Sequence, residues 1–272
     1  MDEVRYGVIG TGMMGLEHIE NLQALDGAVV NAICDPHEPS LAQAAAAIGE
    51  TPSPYSTFTD HRAMLDAGLC DAVVIATPNH LHVDPLLDTM AAGLHVLVEK
   101  PLCSTVEDCR TVVEAGRAHD GVAWVGLEYR YMPPVARLVE EVGSGAVGNL
   151  RMLSIREHRF PFLTKVGDWN RFSANTGGTL VEKCCHYFDL MSLIIGTRPV
   201  RVYASGGQDV NHLDEVYDGR PSDILDNAYV IVDYAGVDGA NGVRAMLDLC
   251  MFAEATRNQE ELVAVGDAGK VE

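Results

Sequence analysis

Two constellations in the chain are built for chemistry. In the run Gly177-Gly178-Thr179-Leu180-Val181-Glu182-Lys183-Cys184-Cys185-His186-Tyr187-Phe188-Asp189, a helix starting near 178 sets Glu182 and His186 at i and i+4 on one face, with Asp189 one step further along. Imidazole, with an ordinary pKa of about 6.5, can accept a hydroxyl proton near neutral pH, and a carboxylate four residues earlier can orient it or raise its basicity. An ordinary surface Glu–His pair has the same spacing. Lys183 points elsewhere and suits a structural ion pair. The second constellation, Glu99-Lys100-Pro101, ends a short apolar strand. A lysine there can hold a substrate hydroxyl and ease its deprotonation beside a positively charged ring, or it can be a surface lysine before a turn. Pro101 is a candidate for a cis peptide.

A third run explains what such a ring would be. Gly10-Thr11-Gly12-Met13-Met14-Gly15 closes one strand and opens one helix, the context that a dinucleotide-binding GxGxxG requires. The first glycine permits the tight turn, the second lets backbone approach a pyrophosphate, and the third allows close helix packing. The phosphate then rests on unpaired N–H groups at the helix N-terminus. Asp35, 20 residues past Gly15, stands where a carboxylate accepts hydrogen bonds from an adenosine ribose. It would repel a 2′-phosphate, so it favours NAD over NADP. A turn or N-cap before Pro36 is its other reading.

Thr77-Pro78-Asn79 and Glu99-Lys100 follow strands at the same carboxyl edge, where ligands bind in open α/β sheets. Asn79 either contacts the cofactor or caps the next helix, and His82 either joins it or is a satisfied helix histidine. Asp168-Trp169-Asn170-Arg171 brings polar donors and an aromatic face just ahead of the His186 helix, so Trp169 and Arg171 are substrate-contact candidates beside Asp189. Packing explains Trp169 equally well. Tyr129 and Arg130 follow the last strand of the first half and are placed to line the cleft.

The elements that must position these residues come in two grammars. Strands at 4–9, 28–34, 72–76, 95–98 and 122–126 alternate with helices at 13–25, 38–48, 59–67, 81–92 and 105–119, which predicts a parallel sheet covered on both faces. After about residue 127 the pattern changes. A helix at 131–143, a strand at 149–158, a loop at 159–177 and a helix at 178–195 lead to strands at 200–206, 226–234, 242–252 and 261–265, mostly alternating as in an antiparallel sheet. The expectation is an α/β chain with a Rossmann domain at 1–126 and an α+β domain at 127–272. Gly266-Asp267-Ala268-Gly269 reads as a hairpin turn whose return strand has barely begun, so the chain is either cut short or ends in a short strand.

Composition narrows the partners. An apolar fraction of 47% supports a packed core. The 39 acidic residues against 19 basic ones give a formal charge of -20, and only Lys100, Lys165, Lys183 and Lys270 are lysines. Such a surface disfavours nucleic acid and anionic lipid, and it also fits a salty habitat. No basic leader or long apolar stretch is visible, which predicts a soluble cytoplasmic protein. Seven cysteines, an odd number without disulfide-like density, read as reduced thiols. Cys184-Cys185-His186 lacks a second pair at zinc spacing, so no metal is expected.

Taken together, the glycine loop, Asp35, Ala76-Thr77-Pro78-Asn79 with His82, Glu99-Lys100-Pro101, and Gly177-Gly178 through His186 and Asp189 resemble the Gfo/Idh/MocA family from Val4 to about Glu272. The resemblance implies a Rossmann domain followed by a C-terminal domain with a large, mostly antiparallel sheet. It implies hydride transfer between NAD(P) and a sugar, inositol or related polyol by a homo-oligomer, a dimer or tetramer. By position, Lys100 matches the family's EKP lysine, His186 its catalytic histidine, and Glu182 the place where many members carry Asp. Cys184 stands where a glycine is frequent. Two other readings stay open: reduction of a different carbonyl or imine, and a nucleotide-responsive regulator without turnover.

Overall fold

The computed structural model describes residues 3–49, 54–236 and 242–272; Met1 and Asp2, the start of the run read above for a leader, lie outside them. The fold opens with β1 (Val4–Ile9), α1 (Met13–Gln23), β2 (Ala28–Cys34), α2 (Glu38–Ile48), β3 (Ser56–Phe58), α3 (His61–Asp66) and β4 (Ala72–Ile75). A 3-10 turn, Asn79–Leu81, then precedes α4 (Val83–Ala91), β5 (His95–Val98), α5 (Val106–Arg117) and β6 (Ala123–Val125). All neighbours in this sheet are parallel, in the order β3-β2-β1-β4-β5-β6.

Sequence dictates this layering directly. All four residues of β4, Ala-Val-Val-Ile, are buried, the continuous apolar run of a central parallel strand covered on both faces. Helix α1 buries Gly15, Ile19 and Leu22 on one stripe. The caps come from side chains: Thr105 accepts from the backbone of Asp108 to start α5, and Asp60 accepts from Ala63 to start α3. In this sheet one strand, β3, escaped the sequence reading. β3 has three residues, two of them exposed, too short and too polar to show a period.

The second set begins with a 3-10 turn, Glu128–Tyr131, followed by α6 (Pro133–Gly143), β7 (Leu150–His158), a second 3-10 segment, Val166–Arg171, α7 (Ser173–Thr176), α8 (Thr179–Glu182) and α9 (Cys185–Ile195). Then come β8 (Pro199–Gly207), β9 (Val216–Tyr217), β10 (Arg220–Pro221), β11 (Asn227–Tyr234), β12 (Arg244–Cys250), β13 (Glu260–Gly266) and β14 (Lys270–Val271). The main sheet runs β14-β13-β7-β12-β11-β8. Every neighbouring pair is antiparallel except β12 and β7. Along β11 and β12 the side chains alternate: Ala228, Val230, Val232, Ala245, Leu247 and Leu249 enter a core with Tyr187, Leu190 and Met191 of α9.

The helix expected over 178–195 is two helices. At Cys184 the backbone turns to φ -86°, ψ -1°, which ends α8 and starts α9. The intervening Lys183 is buried and paired with Glu157. Glu182 and His186 therefore sit on either side of a break rather than on one continuous face.

Contacts divide the chain into two units, Met1–Gly126 with Ala174–Gly177, and Leu127–Ser173 with Gly178–Glu272. Among the described residues no helix is long and apolar enough to cross a membrane, and no group of His, Cys, Asp or Glu is placed to hold a metal ion.

Candidate active site

In the first unit the strand order reverses between β1 and β4, the switch point where open α/β sheets bind ligands. The loops after these strands touch there. Gly10 has φ +87°, and a Cβ on it would lie 2.6 Å from the carbonyl carbon of Ala76. A Cβ on Gly15 would lie 2.0 Å from Gly10 O, whereas one on Gly12 would meet nothing within 4 Å. Packing thus demands glycine at 10 and 15, while Gly12 keeps clear a space that no protein atom fills. Gly12 is the N-cap of α1, with no side-chain cap and no acidic residue in the first turn. Thr11 is fully buried, Met13 is exposed and Met14 half-buried. The loop therefore offers backbone N–H groups beneath an uncluttered surface, which fits an anionic pyrophosphate.

Asp35, at the end of β2, accepts the Thr11 N–H at Oδ2 (2.7 Å) and the His37 N–H at Oδ1 (2.8 Å). Oδ2 also accepts from the Thr11 hydroxyl at 3.3 Å, so the carboxylate braces the glycine loop, and Oδ1, with one bond, has further acceptor capacity. At the end of β4, Thr77 Oγ1 is buried with no hydrogen-bond partner among the described residues. A buried hydroxyl of that kind is costly unless something arrives to meet it. Asn79 is buried, its Nδ2 3.5 Å from Thr176 O.

Two side chains expected on the cofactor are buried against protein partners. His82 is fully buried; Nδ1 lies 2.9 Å from Pro101 O and Nε2 lies 3.0 Å from Thr77 O. Both ring nitrogens thus lie against backbone carbonyls, to one of which the neutral ring donates its single N–H, and burial holds the imidazole pKa below its usual value. His82 staples the loop after β4 to the turn after β5. Glu99 is buried with Oε1 2.8 Å from His18 Nε2, and Oε2 accepts the Lys100 N–H at 3.1 Å. Burial pushes the Glu99 carboxyl up, but the His18 hydrogen bond and the charges of His18 and Lys100 outweigh it and the net displacement is downward. The Lys100–Pro101 peptide is cis, and Lys100 is half-buried. His18 was missed by the sequence reading, although its place three residues after Gly15 on the first helix was the available signal.

In the second unit His186 is buried, one residue into α9. The 3-10 turn Glu128–Tyr131 grips this region at three successive residues. Glu128 Oε1 is 3.5 Å from His186 Nε2, the Tyr129 ring stacks on the His186 ring, and Arg130 makes a bidentate pair with Asp189. Glu128 is a carboxylate that sequence reading did not find, because 58 residues separate it from its partner. Glu182 is buried. The other substrate candidates divide. Trp169 is half-buried. Arg171 is buried, with Nε 3.0 Å from Glu215 Oε2 and one terminal nitrogen 3.3 Å from Phe162 O. Those contacts tie two guanidinium nitrogens into the loop framework, while the third, Nη1, is buried without a hydrogen-bond partner among the described residues. Burial pushes the Glu215 carboxyl up, yet hydrogen bonds from His212 and Tyr217 bring it down to about 2.

Two family models match the chain in succession. One, described as an oxidoreductase family with an NAD-binding Rossmann fold, covers residues 4–127; the other, described as the C-terminal alpha/beta domain of that oxidoreductase family, covers 139–272. The chain belongs to the Gfo/Idh/MocA oxidoreductase family. This Gfo/Idh/MocA chain is 30% identical over 199 residues to the rhizopine catabolism protein MocA of Rhizobium meliloti, covering 73% of the chain and 59% of that protein. It is 34% identical over 201 residues to inositol 2-dehydrogenase of Corynebacterium glutamicum, covering 73% of the chain and 56% of that enzyme. It thus spans less than two thirds of the length of either relative. The crystal structure of scyllo-inositol dehydrogenase from Lactobacillus casei, with bound NAD(H) and scyllo-inositol, superposes with a TM-score of 0.79 over 99% of this chain and 76% of that one, at 20% identity. That likeness shows the Gfo/Idh/MocA fold.

Proposed function

We propose that the chain is an NAD-dependent oxidoreductase that moves hydride between the nicotinamide cofactor and a hydroxyl-bearing carbon of a sugar, inositol or related polyol. The observation that carries this reading is the cluster at the β1–β4 switch point: a glycine loop kept clear at Gly12, an uncapped helix N-terminus and the orphaned Thr77 hydroxyl. Gly10 to Gly15 hold the pyrophosphate, and Pro78 and Asn79 border the nicotinamide half. Asp35 receives the adenosine ribose and disfavours a 2′-phosphate. Bound NAD supplies the hydride acceptor.

The chain's own residues do the rest. Lys100 holds and polarises the substrate oxygen, and His186 takes the hydroxyl proton at a ring nitrogen. Glu182, with Glu128 near Nε2, supports the charge that develops on the ring. Arg130, Asp189 and Trp169 contact the substrate. The polyol class is supported by the relatives named as an inositol 2-dehydrogenase and a rhizopine catabolism protein. We also propose a homo-oligomer formed through the outer face of the second sheet. Tyr203, Tyr229, Ile231, Met246 and Met152 share that face and are 38–61% exposed, a cluster of exposed apolar side chains of the kind that marks an interaction surface.

The test is a screen of sugars, inositols and their acids with NAD and NADP, read by absorbance of the reduced cofactor. Lys100→Ala and His186→Ala lower kcat by about a hundredfold or more while NAD affinity stays near the parent value. Parent turnover in both variants overturns the assignment.

A further inference from the structure

Behind His186 runs a buried polar chain that the proton step does not itself use. The Tyr129 ring stacks on the imidazole with 4.1 Å between centroids and 9° between planes. Its hydroxyl accepts a hydrogen bond from Lys183 Nζ at 2.5 Å, and that ammonium pairs with Glu157 Oε1 at 3.0 Å. The other Glu157 oxygen accepts from the Tyr187 hydroxyl at 2.6 Å, while the Tyr187 ring meets Tyr129 edge-on at 5.7 Å. Glu157 and Tyr187 are fully buried and Lys183 is nearly so.

Packing alone does not account for this arrangement. A buried ion pair is a poor way to gain stability compared with apolar groups of the same size, and its best-attested use is to fix one arrangement among several. Here the fixed object is a phenol ring lying flat against an imidazole. A histidine side chain has two rotatable bonds, and a proton acceptor works only if one ring nitrogen is aimed within a fraction of an ångström. Stacking restricts rotation about the second bond and leaves the nitrogen-bearing edge of the ring pointing along the stack plane.

We propose that Tyr129 is a positioning residue for His186: its ring sets the plane of the imidazole, and Lys183 with Glu157 sets the plane of Tyr129. This rests on reading His186 as the proton acceptor. The outer oxygen in the chain, on Tyr129, is an anchor point and takes no proton from substrate. Burial, with the charges of Glu260, Glu157 and Glu128, pushes its pKa far above the usual phenol value.

The test pairs a spectroscopic readout with kinetics. In protein labelled with 13C-histidine, the Cε1–H resonance of His186, one of ten histidines, is assigned by its loss in His186→Gln. Ring current from the stacked phenol displaces that resonance upfield. Tyr129→Phe, which keeps the ring but loses its anchor, reduces the displacement and lowers kcat by about threefold, whereas Tyr129→Leu abolishes it and lowers kcat by about a hundredfold, with KM for NAD unmoved in both. If Tyr129→Leu does not fold, the double variant Lys183→Met with Glu157→Gln keeps Tyr129 but removes its anchor, and it matches Tyr129→Phe in both readouts, a reduced displacement and a kcat lowered by about threefold. A folded Tyr129→Leu or double variant with the parent resonance, or with a moved resonance and parent kcat, overturns the proposal. Parent turnover in His186→Gln would instead remove His186 as proton acceptor, and the resonance would still decide whether Tyr129 sets its ring.

Discussion

His18 Nε2 lies 2.8 Å from Glu99 Oε1, a contact that ties the helix following the glycine loop to the residue just before Lys100. Both side chains are mostly shielded, at 21% and 9% exposure. Replacing Glu99 with Gln costs about 1–3 kcal/mol of stability at neutral pH, measured by urea unfolding. The sign with pH follows from the depressed carboxyl: its contribution is complete above the ordinary value of 4.5 and is lost as pH falls below it. Glu99→Gln flattens that part of the acid limb. An acid limb identical to the parent's counts against the pairing.

Gly12 and Gly15 separate ligand space from packing space. Gly12→Ala leaves the melting temperature within about a degree or two, because its Cβ meets nothing within 4 Å, but weakens NAD binding by about tenfold or more. Gly15→Ala forces its Cβ against Gly10 O at 2.0 Å and destabilises the fold by about 1–3 kcal/mol. Calorimetry with and without NAD distinguishes them. Equal effects of the two variants on stability would refute the division.

Asp35→Ser has two consequences if the carboxylate receives the ribose as proposed, since it also holds the Thr11 N–H at 2.7 Å. NAD affinity falls, and the NAD/NADP preference narrows by about tenfold. Fluorescence titration of each cofactor measures both. An unchanged ratio removes Asp35 from cofactor choice.

His82→Ala acts on the fold. It leaves the carbonyls of Thr77 and Pro101 without their imidazole, at a cost of about 2–4 kcal/mol. The buried ring has a lowered pKa, so its contribution is present above the ordinary histidine value of 6.5 and declines as pH falls below it. His82→Asn removes that slope. A variant of parent stability that had lost only NAD affinity would restore His82 as a direct cofactor contact.

The features legible in the sequence were those set by local geometry. Gly10 and Gly15 are demanded by backbone approach within one turn, and the buried run Ala72–Ile75 has the texture of a central parallel strand. What stayed hidden depends on partners far along the chain. Helix periodicity runs unbroken through Leu180, Cys184 and Tyr187, so nothing local marks the break at Cys184; its cause includes Glu157, on another strand. The parallel pairing of β12 with β7 joins Arg244 to Met152 and leaves no signature in either segment. The pairing of Arg171 with Glu215 spans 44 residues and leaves no mark in either local run.

The bare N-terminus of α1 also governs how an anion reaches it. With a formal charge of -20, the protein repels a pyrophosphate out to about the Debye length, roughly 30 Å at 0.01 M salt and 10 Å at 0.1 M, whereas the pull of the helix end is confined to its first turn. Added salt screens the long-range term first. Association with the dinucleotide therefore quickens as ionic strength rises, the reverse of the usual behaviour of a charged ligand meeting its site.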